Sequence, residues 1–360
     1  MEKRDFRVID TGVRDGRRQI ALDQAMVELH AAGQVPDTVR FLRFPPTVLI
    51  GRHQALGREV KRDYCAANGI GLVRRITGGG AIYLDEGQLG WELVLSRARL
   101  PLGSLADYTR AICEAVAAGL SEGFGIEARF RPRNDIEVGG RKLCGTGGFF
   151  DGDTLIYQGT VLIDMDPARM VAALNVPEAK LRKRALDDAG QRVVTLKELL
   201  GGAAPDVNAV SQAVLSGLAS RLGIVPRPGQ LTAVEQALAD QLHDEEIGLD
   251  SFVAEIDEPG GGDVLEASAS GPGGTMTCYL RLEGEGGARR VREALLTGDF
   301  FVTPPRIVYD LEAALRGVPV GEVGAAVERF LAAAEIGMVT LTPTDIRDVI
   351  VAAATSEVRG

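Results

Sequence analysis

The chain has 360 residues, 45% of them hydrophobic and 25% charged, a globular composition whose length fits two domains better than one. A formal net charge of −10 excludes a global basic footprint for nucleic acid, while leaving any single cleft free to be cationic. There is no apolar run long enough for a membrane span, no apolar h-region at the N-terminus, and no metal-ligand spacing among four scattered cysteines and three histidines. The expectation is a soluble, cytoplasmic monomer with reduced thiols, binding neither nucleic acid nor membrane.

The first predicted helix covers residues 19–32, where apolar side chains recur at helical spacing. Two short β-type runs follow, separated by Pro45 and Pro46. A second helix is expected across residues 58–69, ended by Gly69. Residues 69–95 read as strand, glycine turn, strand, turn and strand, the last part alternating like an antiparallel hairpin. A helix is predicted over 104–123 with Ser104 as its N-cap. The β-rich stretch 126–164 contains two turn signals, Gly139-Gly140 and Asp151-Gly152-Asp153. Helical patterns then resume after Asp164, around a polar, basic loop at 176–194.

A composition break near 223–232 contains two prolines and two glycines. A helix is expected at 231–242, strand-like sequence from about 245, and helices near 306–315, 320–334 and 344–354. This gives a large domain over 1–225, a linker helix over 226–245 and a smaller α/β domain over 246–360. Strands cluster instead of alternating with helices, so the predicted class is α+β, with mixed or antiparallel sheets and flanking helices.

Two constellations carry chemistry. The first is Arg74-Arg75-Ile76-Thr77-Gly78-Gly79-Gly80-Ala81-Ile82-Tyr83. Three glycines between strands let backbone approach a ligand and point N–H groups at an anion, although a tight β-turn would read the same way. Arg75 could add bidentate contacts to phosphate or carboxylate. Neither a P-loop nor a dinucleotide-binding glycine pattern is present. The second is Arg133-Asn134-Asp135-Ile136 followed by Gly140-Arg141-Lys142-Leu143-Cys144-Gly145. Only six of the 40 basic residues are lysines, and Lys142 stands among glycines. A compact ammonium there could bridge two anions, a carboxylate and a phosphate, and lower the barrier to their reaction. Taken alone, Lys142 also fits a solvated lysine at a strand edge.

Together these motifs, with Gln158-Gly159-Thr160 and the segment PPTVLIGRHQ, resemble the lipoate–protein ligase family within the wider biotinyl/lipoyl ligase group. The resemblance is strong over 15–200 and looser beyond, where the C-terminal part looks like an accessory domain. It implies an ATP- and Mg²⁺-dependent enzyme that activates lipoate or octanoate as acyl-AMP, then acylates a lysine of a lipoyl carrier protein. The carrier would be a dehydrogenase lipoyl domain, a glycine-cleavage H protein or a sulfur-oxidation lipoate-binding protein. By similarity, Arg75, Gly80, Ala81, Ile82, Tyr83, Asn134 and Asp135 would line the adenylate site, with Asp135 a partner for ribose or Mg²⁺. Lys142 would be catalytic, bridging acyl carbonyl and phosphate. Thr77, Gly78, Gly79, Gly145, Gly159 and Thr160 would border the acyl group, and Lys180 and Lys183 would close over the phosphates.

Departures from the family pattern stand at Leu84-Asp85, Tyr157-Gln158 and Phe149. They put the acyl group's identity in question. Cys144, two residues from Lys142, could share its strand face and act as a thioester nucleophile, as in related ATP-independent octanoyltransferases, although small-residue packing explains it as well. A non-catalytic lipoyl-carrier binding protein is a further alternative, and biotin ligation a weaker one. His53 and Trp91 read as structural, and residues 243–246 as a solvated linker.

Overall fold

The computed structural model describes residues 3–175, 192–271, 274–338 and 341–356. Its centre is an eight-stranded mixed sheet. In spatial order the strands are β11 (Ile224–Pro228), β1 (Arg4–Val13), β2 (Thr38–Arg43), β6 (Gln88–Ser96), β10 (Thr154–Leu162), β9 (Arg141–Asp151), β8 (Asp135–Val138) and β7 (Arg129–Arg131). A small sheet, β4 (Gly71–Arg74), β3 (Thr47–Ile50) and β5 (Ile82–Leu84), lies beside it. The α+β class expected from clustered strands is the one observed.

Two helices cover one face of the large sheet, α2 (Leu105–Phe124) and α3 (Val207–Leu222), and share a core with it through Ile112, Val116, Leu155, Val214 and Leu218. Helix α2 begins where expected. The Ser104 hydroxyl accepts the Asp107 N–H and the Asp107 carboxylate accepts the Ser104 N–H, satisfying two otherwise orphaned donors. Gly119 and Gly217 meet at the crossing of the two helices. A Cβ on Gly119 would stand 2.8 Å from the Gly217 nitrogen, so the helices pack at this distance only with glycine at both positions.

Helix α1 (Gly16–Ala31) lies on the opposite face, between the two sheets, and buries Ile20, Leu22 and Met26 against Leu42, Leu49 and Ile156. This wedge keeps the sheets apart and leaves room for a cavity between them. A third core sits in the C-terminal part. The antiparallel sheet β12 (Leu265–Gly271), β13 (Gly274–Glu283) and β14 (Arg290–Gly298) packs there on α5 (Ile307–Leu315), α6 (Val323–Ala333) and α7 (Pro343–Thr355), counting Ala233–Leu242 as α4.

Four expectations need correction. Residues 224–228 form a strand, despite Pro226 and Pro228. It lies at the sheet's edge, where the missing N–H groups cost no interior ladder bond. Strands β5 and β6 are not a hairpin: β5 pairs with β3, and β6 with β2 and β10. The predicted second helix is two short ones, Leu56–Glu59 and Arg62–Ala67, broken at extended Val60. Residues His243–Ile247 and Asp250–Val253 are helical, and the first strand beyond them starts at Leu265. No helix among the described residues is long and apolar enough to cross a membrane.

Candidate active site

Between α1, the large sheet and the glycine turn lies a cavity of about 330 Å³. Most of the motif residues converge on it. Arg75, Thr77, Gly78, Gly80, Ala81, Ile82 and Tyr83 come from the turn and β5; Asn134, Lys142 and Gly145 from the β8–β9 hairpin; Gly159 and Thr160 from β10. Gly79 and Asp135 are not lining residues, although Asp135 pairs with Lys142. Lys180 and Lys183 lie outside the described residues.

Among the described residues, Lys142 brings the one lysine ammonium to the cavity. Its Nζ is 2.9 Å from Asp135 Oδ1, and its side chain keeps 34% exposure. A Cβ on Gly145 would stand 2.5 Å from that Nζ, so glycine at 145 gives the ammonium its place. The Lys142 carbonyl accepts the Val194 N–H at 2.9 Å, which ties the strand to the chain re-entering after residue 191. Burial opposes ionisation of Asp135, but Lys142 and Arg131 outweigh it and hold the carboxyl below its usual range. With both cations on it, Asp135 is not a free metal ligand. The described residues contain no group of three or more His, Cys, Asp or Glu that could hold a metal.

Arg75 borders the cavity, but its guanidinium is engaged by the turn itself. Nε and Nη2 donate to the Gly78 carbonyl at 3.1 and 2.8 Å, Nη2 to Gly80 at 2.8 Å, and Nη1 to Leu49 at 3.2 Å. Burial lowers its pKa to about 10. Arg75 therefore shapes the glycine turn in this structure, instead of presenting a free fork to an anion. Asn134 plays a similar part: its Nδ2 donates to the Thr146 carbonyl at 2.5 Å, and its own carbonyl accepts from Thr146. The neighbouring Arg133 has φ of 98°, the one positive value on a non-glycine among the described residues.

Strand alternation predicts Lys142 and Cys144 on one face, and the structure corrects this. The β8–β9 register shifts between Ile136 and Glu137: Ile136 faces Cys144, while Glu137 faces Lys142. Leu143 is the extra residue of a bulge, which turns the strand. Leu143 and Cys144 both enter the core, whereas Lys142 and Gly145 reach the cavity. Burial pushes the Cys144 thiol pKa well up. Cys65, Cys113 and Cys278 are buried too, with pKa values raised by burial, and no cysteine lines the cavity among the described residues. His53 is buried against the Phe300 ring at 5.3 Å. Burial, with Arg52 and Arg74 nearby, lowers its pKa to about 3, so it packs as a neutral ring.

Several lining residues had no site role in the sequence reading. Asp23 on α1 and Gln158 on β10 stand at the deep end, Met165 and Met170 border the wall, and Trp91 is both core and lining. The one available signal was a carboxylate on an apolar helix face, between Leu22 and Met26. Phe301 comes from the C-terminal part and had no local signal. Its neighbour Phe300 accepts the Gly79 N–H at 3.1 Å, and Thr303 Oγ1 bonds both the N–H and the carbonyl of Phe150 at 2.7 and 3.0 Å. The C-terminal part is thus clamped across the glycine turn. Arg74 strengthens the clamp by donating to the carbonyls of Phe252, Val253 and Ile256.

Comparison with known proteins places this chain among enzymes that ligate or transfer lipoyl-type acyl groups. More particularly, it belongs to the lipoyl protein ligase A/B family, whose catalytic domain matches residues 15–219. An octanoyltransferase LipM of Kyrpidia tusciae is 31% identical over 261 residues, spanning 66% of this chain and 94% of that protein. Among solved structures, the bipartite lipoate protein ligase of Thermoplasma acidophilum, studied with its E2 lipoyl domain, superposes with a TM-score of 0.63. It is 26% identical and covers 71% of this chain and 98% of its own. A lipoate-protein ligase A bound with ATP gives 0.59 at 26% identity, covering 71% of this chain and all of its own.

Proposed function

We propose that this protein is an ATP-dependent ligase that activates lipoate or octanoate as an acyl-adenylate and transfers the acyl group to a lysine of a lipoyl domain. The observation that carries this reading is the pairing at the cavity: among the described residues, one lysine ammonium at its wall and no thiol. In the first step an acyl carboxylate oxygen bonds to the α-phosphorus of ATP and pyrophosphate leaves. Both reactants are anions, and Lys142 Nζ supplies the charge that lets them approach. In the second step the carrier's lysine amine attacks the acyl carbonyl and AMP leaves. Asp135 holds Lys142 in position, Gly145 leaves it space, and the turn built by Arg75 offers backbone N–H groups to the nucleotide. The ATP-bound ligase and the ligase studied with a lipoyl domain support the same reading by likeness.

The name of the Kyrpidia relative favours a second reading, octanoyl transfer from a carrier thioester without ATP. Mass measurement on a lipoyl domain separates the two. The ligase reading predicts modification with free acid plus ATP, retained in Cys144→Ala. Modification from octanoyl carrier protein without ATP, lost in Cys144→Ala, would overturn it.

A further inference from the structure

The C-terminal part sends Phe301 into the cavity wall, and glycine makes the seat for its ring. A Cβ on Gly79 would stand 2.5 Å from the ring's Cζ, and a Cβ on Gly147 would stand 2.5 Å from the same atom. One glycine belongs to the turn and the other to β9, so the ring closes the seam between them. A side chain at either position would displace it. Backbone bonds hold the seat: the Gly79 N–H donates to the Phe300 carbonyl at 3.1 Å, and the Gly298 N–H to the His53 carbonyl at 3.0 Å.

Phe301 also borders a second, apolar cavity of about 20 Å³ in the C-terminal core, lined by Met276, Leu296, Val308 and Leu311 among others. Among the described residues, Phe301 is the side chain common to both linings. Its place along the site follows from β9. Lys142 Nζ lies beside Gly145, and the Phe301 ring lies over Gly147, two residues or roughly 7 Å further along the strand. Gly147 in turn faces Gln158 of β10, at the deep end. An acyl chain with its carboxyl at Lys142 and its tail toward Gln158 therefore passes against the Phe301 ring.

On the acyl-cavity reading above, on which this inference rests, we propose that Phe301 determines specificity for chain length: it partitions the acyl cavity from the apolar core behind it. A further methylene tightens binding by roughly fourfold, but only where apolar space receives it. With the ring in place, the packed wall denies that space to longer chains. Without it, the two cavities join.

The test is calorimetric binding of octanoate, decanoate, dodecanoate and tetradecanoate to the full chain, without nucleotide and below their micelle concentrations. The unmodified chain should bind octanoate at least as tightly as dodecanoate. Phe301→Ala should invert that order, with dodecanoate more than about tenfold tighter than octanoate. Phe301→Leu, which keeps part of the partition and more of the packing, should move the optimum only to decanoate. Lost packing alone would weaken all four acids together. An unmoved order in the folded variants overturns the inference, and so does an unmodified chain that prefers dodecanoate; in both cases acid binding leaves the acyl-cavity reading standing. Binding of none of the four acids would overturn that reading and this inference with it.

Discussion

The two ends of the cavity hold ions under opposite conditions. At one end Lys142 and Asp135 keep 34% and 18% exposure, and Asp135 also pairs with Arg131. At the other, Asp23, Arg40 and Glu92 are sealed and carry one more carboxyl than guanidinium. A partly solvated pair contributes little to stability and remains free to meet a ligand's charge. A sealed cluster cannot follow a reaction's charges. It can only hold dipoles in place, and losing one member leaves a buried charge unmatched. One cavity thus has a partly solvated ion pair at one end and a sealed one at the other.

Substitutions can break this contrast. Arg40→Leu strands two carboxyls and should destabilise the protein by about 3–5 kcal/mol in urea denaturation. Lys142→Ala should reverse the pattern: acyl-adenylate formation falls by on the order of 10²–10³, while stability changes by less than about 1 kcal/mol. A large drop in stability with Lys142→Ala would mean that the exposed pair is structural after all.

The sealed end also predicts a dependence on pH. Burial pushes Glu92 up to about 8, against the charge of Arg40, and Asp23 is raised as well. The folded state then binds a proton that the unfolded carboxyl has lost above its ordinary value of 4.5. Stability from this group is fully present below pH 4.5 and is lost as pH rises through about 8. Glu92→Gln should flatten that alkaline loss by on the order of 1 kcal/mol, read from denaturant melts at pH 5 and pH 9. Equal slopes in the two proteins would show that the cluster holds no such proton. The smallest effect concerns Cys144, which packs in the core two residues from Lys142. Cys144→Ala should cost about 1 kcal/mol of stability and leave turnover within about twofold.

The Lys142 end was largely legible in the sequence, and the sealed end was not. Glycine turns and an isolated lysine are local signals, and Lys142, Asn134 and the 77–83 segment do meet at one cavity. Helix α2, its Ser104 cap and the hairpin turn at 139–140 were equally local. The failures are long-range. Glu92 lies on a strand buried at every position from Gln88 to Leu95, because both sheet faces are covered; alternation alone cannot show that. Arg40 and Asp23 lie 17 residues apart and meet only through tertiary packing. The bulge at Leu143 breaks the strict alternation on which the Cys144 expectation rested. Phe301 reaches the cavity from more than 150 residues beyond the Lys142 strand's start, with no pattern to announce it.

The most direct test of the ligase reading is pyrophosphate release from ATP in the presence of free lipoate or octanoate, before any lipoyl domain is added. The chemistry assigned to Lys142 predicts acid-dependent release that is kept in Cys144→Ala and lost in Lys142→Ala. No release with either acid, alongside lipoyl-domain acylation from an octanoyl thioester without ATP, would contradict it.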